Sequence, residues 1–535
     1  MNYVLTKRLK FKILNSKLTK VVIYTVKILR NIIIATLIMA LLPSFPVFAA
    51  DDVVNWRLEG GIMNEIEYKE VIFVTGEPIW LSGKAKVTQS GRGESIQTRI
   101  TYNLTDASGQ VKLSRSTGFT SKITKKLSEK QTVSVTDLTS YSENITIGKD
   151  KYTLSDYQYS RSVLTDHKPG VDYFSGDWEA KKIYTLNKNQ ATITVESWGT
   201  TVGYNHAWGS TETQTVDNTV TFSGKKIVTT DEKEQKTYDQ KWSGTYQLNL
   251  SYNLGKTLTY ESNEPTQISF EGGFLEKTQE EQILGCSYNM PKFDKNGLVK
   301  EARTKDSEDI KLTTTPTYRR LPIPYLRDVK GHWAEYDILR LASLEALPIK
   351  GEYLGPRLNM TRGEFAYAMS VLCQLVEEEE TTTRRTNTRT ASNKNKEQET
   401  SPFADVPTSH PYYKYIKAAY DKGVISGVSK SKFSPDAPLT RAQAVTIMIK
   451  ALGFEGLAPM YGNNTDYLDD ASIPYWAKDA IYVGTEIGLV SGTNGYVRPN
   501  ETMSRAEAAA FLNRFLTYLQ QDLRYEYRER LLNYR

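Results

Sequence analysis

Three arginines stand just inside near-identical segments: Arg362 in MTRGEF, Arg441 in LTRAQA and Arg505 in MSRAEA. Each follows a hydroxyl residue (Thr361, Thr440, Ser504) that has Glu or Gln three positions on, at Glu364, Gln443 and Glu507. That is the capping-box signature of a helix start. Capping accounts for the hydroxyl and the Glu or Gln but leaves the arginine unexplained. A cation in the first turn faces the positive end of the helix dipole, at a cost of about 0.3–1 kcal/mol where exposed. The placement makes sense if an anion docks there. Unpaired N–H groups at a helix start favour anions, and a guanidinium adds two donors matched to a carboxylate. The competing reading is structural: each arginine bridges to an aspartate of a neighbouring unit and holds a bundle together.

Spacing turns the three segments into a repeat. An aromatic residue precedes each arginine by 29 positions (Trp333, Tyr412, Trp476), and a proline precedes it by six (Pro356, Pro435, Pro499). An aspartate opens each unit 34, 36 and 36 positions before the arginine, at Asp328, Asp405 and Asp469. Each unit reads as an Asp turn, a first helix near the aromatic and a turn. A short extended stretch then ends at the proline, and a second helix starts at the Thr/Ser–Arg pair. The residue before a proline is expected to stay extended. Glycines bound the turn in GVISGVS (Gly423–Ser429) and GLVSGTNG (Gly488–Gly495), but the first unit reads LPIKGEYLGPRLNMTRGE and lacks that turn.

These elements, DVKGHWA…GP…TRGE, FADVP…HPYY…GVISG…FSPD…TRAQ and YLDD…YWA…GLVSG…VRPN…SRAE, resemble the S-layer homology domain of exported bacterial proteins. The resemblance spans about residues 326–517. It implies a mostly α-helical, pseudo-threefold assembly of three repeats with grooves between neighbours. It also implies non-covalent anchoring to an anionic, pyruvylated wall polysaccharide. The residues matched to that role are Asp328, Trp333, Arg362, Asp405, Tyr412, Thr440, Arg441, Asp469, Trp476, Ser504 and Arg505. The aspartates serve either turn capping or ligand contact. The aromatics offer a ring to the sugar or fill the core between helices, and Thr361, Thr440 and Ser504 are caps first.

The chain around these repeats has 535 residues, enough for several domains. Eight Lys/Arg and no Asp/Glu precede Asn31; an apolar run and PVFAAD follow, the pattern of an export signal over residues 1–49. Pro43 and Pro46 interrupt the apolar run, which argues against a retained membrane anchor. The net charge of +6 becomes −2 once the eight cations of that segment are removed, so basicity gives no support to a nucleic-acid partner.

Residues 50–317 form a β-rich region of one or two domains. QATITVES, NTVTFSG and GTYQLNLSY alternate apolar and polar side chains, and NKN, SGKK and NLGK read as the turns between strands. The expected architecture is an all-β antiparallel sandwich or open barrel. A linker is expected at 318–325, with repeats at 326–376, 402–458 and 459–517. The polar insert 377–401 is expected to be disordered, and 518–535 to extend the last helix.

Chemistry in the β-rich region is sparse. Its histidines, His167 and His206, would hold a metal only by meeting a carboxylate in space. GYNHAWG and GDWEA place aromatics beside polar groups, as sugar-stacking sites do. Cys286 and Cys373 read as idle buried thiols, and no GxSxG, HExxH, Walker or dinucleotide motif occurs. The expectation is a surface-anchored protein without cofactor, metal or catalytic residues, able to self-associate in a surface layer. It would touch a membrane only through an uncleaved signal. The alternative is an anchored enzyme acting on polysaccharide through the β-rich region.

Overall fold

A computed structural model describes residues 60–64, 66–229, 235–262, 272–376, 400–460 and 463–525. The export signal, nearly all of the insert 377–401 and the tail beyond 525 lie outside the described residues.

The β-rich region is one antiparallel sheet. Its strands are β1 (Ile62–Met63), β2 (Tyr68–Ile72), β3 (Ile79–Arg92), β4 (Ser95–Thr105), β5 (Val111–Lys126), β6 (Gln131–Ile147) and β7 (Asp150–His167). They continue with β8 (Asp172–Leu186), β9 (Ala191–His206), β10 (Gly209–Thr229), β11 (Gln235–Glu261), β12 (Gly273–Phe293), β13 (Val299–Thr313) and β14 (Thr317–Pro322). Each of the first twelve pairs with the next in chain order, and β14 continues along β12 past the end of β13. The sheet rolls until its first strand meets its last ones. Met63 N–H donates to Gln282 Oε1 at 2.7 Å, Tyr252 OH donates to Gly61 O at 2.7 Å, and Asn64 Nδ2 donates to Thr313 O at 3.1 Å. The result is a nearly closed barrel rather than a sandwich.

The strands are longer than the short alternating runs suggest. Asn187 and Lys188 do turn the chain, at φ of 46° and 70°. SGKK and NLGK lie instead inside β10 and β11, each residue paired with at least one neighbouring strand. At Gly224 a side chain would put its Cβ 2.2 Å from that of Ala191, so this glycine marks a close approach of strands and not a turn. The stretch that reads as a linker begins as β14: Arg319 bridges Glu276 at 2.8 Å, and Leu321 is buried.

Inside the barrel Arg115 is clamped between two buried carboxylates, with Nε on Glu143 at 2.8 Å and Nη1 on Glu70 at 2.8 Å. Burial pushes the Glu143 carboxyl up, but the Arg115 and Lys182 cations outweigh it and hold the group at about 2. Tyr184 OH donates to the same carboxylate at 3.1 Å, and burial there raises the Tyr184 pKa well above its ordinary value.

The helices come in pairs. The first repeat holds α1 (Glu335–Ser343) and α2 (Arg362–Leu372), the second α3 (Tyr413–Lys422) and α4 (Arg441–Leu452), the third α5 (Lys478–Glu486) and α6 (Arg505–Thr517). The last helix runs on through a π-turn at Tyr518–Asp522. Val171, Tyr173, Tyr204 and Trp208 of the barrel share one apolar core with these helices. Tyr173 OH donates to Leu452 O at 3.0 Å and Trp208 Nε1 to Leu372 O at 2.7 Å, so the last carbonyls of α4 and α2 find their partners in the barrel. Gly170 N–H donates to Ala451 O at 2.8 Å, and a Cβ there would stand 3.0 Å from that same oxygen. Among the described residues no helix is long and apolar enough to cross a membrane.

Candidate functional site

The opening aspartates act within their own repeats. Asp328 accepts from Leu354 N and Gly355 N at 3.2 and 2.7 Å, Asp405 from Phe433 N and Ser434 N at 2.9 and 2.7 Å, and Asp469 from Val497 N and Arg498 N at 2.9 and 2.7 Å. The second amide in each pair belongs to the residue before the repeat's proline. That residue is not extended. Gly355, Ser434 and Arg498 have φ of 71°, 57° and 52°. A left-handed residue costs about 1–2 kcal/mol unless it is glycine, and the carboxylate stabilises the kink. Burial raises the Asp405 pKa, but its bonds to the Phe433 and Ser434 amides outweigh that and lower it overall.

The kink presents the proline carbonyl to the next helix start. Gly363 N–H donates to Pro435 O at 2.8 Å, Ala442 N–H to Pro499 O at 2.9 Å, and Ala506 N–H to Pro356 O at 3.0 Å. One residue earlier, Arg362 N–H reaches Ala437 O (3.0 Å), Arg441 N–H reaches Glu501 O (3.0 Å), and Arg505 N–H reaches Leu358 O (2.8 Å). These bonds run from repeat one to two, two to three and three to one. A smaller ring lies beside them: Leu439 N–H donates to Met360 O, Met503 N–H to Leu439 O and Met360 N–H to Met503 O, each at 2.9 Å. The helices follow the same cycle, with α2 packed on α3, α4 on α5 and α6 on α1.

The amides expected to be free at these helix starts are therefore already bonded. All three capping boxes form, so Thr361, Thr440 and Ser504 take the third amide of their helices. The neighbouring repeat takes the first two amides. Any anion at these helix starts has to be held by side chains.

The guanidinium groups follow the same cycle but differ in what they have left. Arg362, 6% exposed, donates from Nε to Phe433 O at 2.9 Å and from Nη2 to Ser426 O at 3.2 Å, and lies over the Phe433 ring. Arg505, 9% exposed, reaches Leu354 O through Nη1 and pairs with Glu364 through Nη2. Arg441 lies 4.5 Å from the Phe511 ring centroid and gives one bond, from Nη2 to Ser491 O at 3.1 Å. Its buried Nε has no partner among the described residues. Burial lowers the pKa of both Arg362 and Arg441 from the ordinary arginine value. The expected bridge from arginine to a neighbouring aspartate is replaced by carbonyl contacts and, at Arg505, by Glu364.

The aromatics do not fill the core as a set. Trp333 and Trp476 are 68% and 55% exposed. Tyr412 is half-buried, 5.3 Å from the Tyr367 ring, and its Cδ2 lies 3.4 Å from where a Gly363 Cβ would stand. Burial first, and then the Glu364 carboxylate, raises the Tyr412 pKa.

The candidate stacking segments bury their rings, Tyr204 and Trp208 against the helices of the repeats and Trp178 against the barrel core. Trp208 and Tyr204 are buried, and Trp178 is half-buried. His206 accepts from Trp208 N–H through Nδ1 at 3.0 Å, and His167 binds Asp172 at 2.9 Å. Among the described residues no three His, Cys, Asp or Glu side chains gather to hold a metal. The counter-ion role of Glu364 escaped sequence reasoning, because a capping residue has the same signature with or without a second partner.

Comparison with known proteins agrees with the geometry. The S-layer homology domain model matches residues 326–366, 402–445 and 466–509. A cell surface protein of Thermoanaerobacter kivui is 35% identical over 129 residues, which cover 24% of this chain and 17% of that protein. An endoglucanase of Bacillus sp. (strain KSM-635) is 36% identical over 123 residues, 23% of this chain and 12% of its own length. The surface-layer 125 kDa protein of Lysinibacillus sphaericus is 30% identical over 116 residues, 21% of this chain and 10% of its own length. The chain thus spans less than a fifth of each relative. It carries three S-layer homology domains in its C-terminal part and is a secreted protein of the cell wall and surface.

Proposed function

We propose that the three repeats close into a pseudo-threefold unit that grips an anionic, pyruvylated polysaccharide of the wall, and that the barrel is held outward as a surface-layer, adhesive or spacer module. The observation that carries this is Arg441. It is a partly exposed guanidinium at the seam of repeats two and three, with one carbonyl contact and an unpartnered Nε. The Nε is buried, so a carboxylate on a sugar pairs with the terminal guanidinium nitrogens at the exposed Ser491 contact. Asp469, Trp476 and Ser504 stand on repeat three, the partner in that seam, and Thr440 caps Arg441's own helix. Arg505 reaches a ligand only by giving up Glu364, and Arg362 is the more deeply buried. Asp328, Trp333, Asp405 and Tyr412 belong to the two grooves these arginines share.

Co-sedimentation of the full chain with purified sacculi tests the reading. Arg441→Ala should weaken retention about tenfold or more, the worth of one charge-assisted hydrogen bond, and removal of pyruvyl groups by mild acid should do the same. Undiminished pelleting of a folded Arg441→Ala chain refutes it.

The endoglucanase relative supports a second reading, a wall-anchored enzyme. Glycoside hydrolysis needs one carboxyl held protonated beside a second that is ionised. At the barrel's central carboxylate pair Glu143 is driven toward ionisation by Arg115 and Lys182, and Arg115 donates to both partners. That cluster serves the fold. Turnover of wall glycan by the purified chain would revive the enzyme reading.

A further inference from the structure

The outer face of the barrel carries one exposed indole in polar surroundings. Trp198 on β9 is 51% exposed. Its cross-strand partners are Glu179 on β8 and Asp217 on β10, and the diagonal positions are Asp177 and Lys181 on one side, Thr215 and Thr219 on the other. No apolar side chain stands beside it on either neighbouring strand, so the ring has nothing of its own kind to pack on. Next to it lies a cavity of about 320 Å³ lined by Gln158, Glu179, Lys181, Glu196 and Trp198. That is the lower end of ligand-site volumes, about 300–1,000 Å³.

The cavity has a visible cause. The ladder between β6 and β7 pairs at Asp137–Ser160 and again at Asn144–Thr153 but not between, so the two strands part over residues 138–143 and 154–159. A register shift at Leu154/Asp156 follows on the β8 side. Gln158 and Tyr159 of the parted stretch form the cavity's edge.

We propose that this cavity is a saccharide-binding site with Trp198 as its stacking platform, separate from the wall-binding repeats. A pyranose has an apolar C–H face that lies on an aromatic ring and hydroxyl edges that need polar partners, and the site offers both. Lys181 is already paired with Glu196 at 2.7 Å, while Glu179 has no ion pair or hydrogen bond among the described residues. Asp177, Glu179 and Asp217 leave the surroundings negative. The site therefore selects neutral or amine-bearing sugars and rejects the acidic polymer that suits Arg441.

Saturation-transfer NMR and calorimetry on the full chain test this with N-acetylglucosamine tetramer, its de-N-acetylated form and cellotetraose. At least one should bind, the amine-bearing tetramer more tightly than its acetylated form. Trp198→Ala should weaken binding about tenfold and Trp198→Phe much less, both keeping the wild-type circular dichroism and sacculus sedimentation. Binding should persist in Arg441→Ala, which separates this site from the wall-binding one. Absence of saturation transfer at about 10 mM sugar, where a Kd of about 1 mM is saturated, would overturn the proposal. So would equal affinity of the Trp198→Ala chain.

Discussion

Replacing Asp405 with alanine tests the physical reason for the repeat's opening residue. Its carboxylate accepts two amides, Phe433 N at 2.9 Å and Ser434 N at 2.7 Å, and Phe433 is 1% exposed. Hydrogen bonds to a charged acceptor contribute about 1.5–3 kcal/mol each, and the half-exposed setting of Asp405 argues for the lower end. Loss of both should cost about 3 kcal/mol. The left-handed strain at Ser434, φ 57°, is already present in the folded wild type and does not add to this. Ser434→Gly should recover about 1 kcal/mol in the Asp405→Ala chain. The first repeat supplies an internal control. Asp328 holds the same kink, but Gly355 occupies the left-handed position at φ 71° without strain. Asp328→Ala should therefore also cost about 3 kcal/mol, with no left-handed strain for a glycine to relieve. Urea unfolding followed at the helical circular-dichroism band measures all four chains. An Asp405→Ala or Asp328→Ala chain within about 0.5 kcal/mol of wild type would show that the aspartates do not hold these turns.

Two further outcomes follow from buried groups. Glu364→Gln should keep its capping box, as Gln443 does at the same position, yet leave Arg505 buried without a counter-charge. The expected loss is about 3 kcal/mol, read as a lower Tm, and a change under about 1 kcal/mol would mean that the pair contributes little. His206 is neutral in the fold, its pKa pushed down to about 3 by burial and then by Lys256, against an ordinary 6.5. The unfolded chain binds a proton below 6.5 that the folded chain refuses, so this stability is full above 6.5 and is lost as pH falls toward 3. His206→Asn, which keeps an acceptor for Trp208 N–H, should reduce the slope of stability against pH across that window. An unchanged slope would mean that the imidazole is not held neutral.

The repeats were legible because their spacing is enforced by bonds between copies. The aspartate binds the residue before the proline, and the proline carbonyl binds the next helix start, so these positions cannot drift independently. What the spacing did not disclose was direction. The same residues read equally well as a ligand site with free amides, and only the cyclic order of Pro435, Pro499 and Pro356 shows those amides already used. The left-handed residue before each proline ran against ordinary proline behaviour, and only Gly355 hinted at it. In the barrel, strand character was plain, but strand length was hidden by glycines such as Gly224 that mimic turns. Trp198 went unnoticed because a lone tryptophan in a strand has the same signature whether it faces in or out.

The two ends of the second helices divide the labour of the molecule. Arg362 and Arg441 open α2 and α4, and the carbonyls of Leu372 and Leu452 that close those helices are bonded to Trp208 and Tyr173 of the barrel. At 1.5 Å per residue, helices of 11 and 12 residues set the two ends about 17 Å apart. The dipole makes the carbonyl ends electronegative and suits them to indole and phenol donors. The amide ends are spent on the cycle between repeats, so the acid proposed to dock there would meet guanidinium groups. Gly170 and Tyr173 tie the barrel to the second repeat and Trp208 ties it to the first, so two repeats hold it at once.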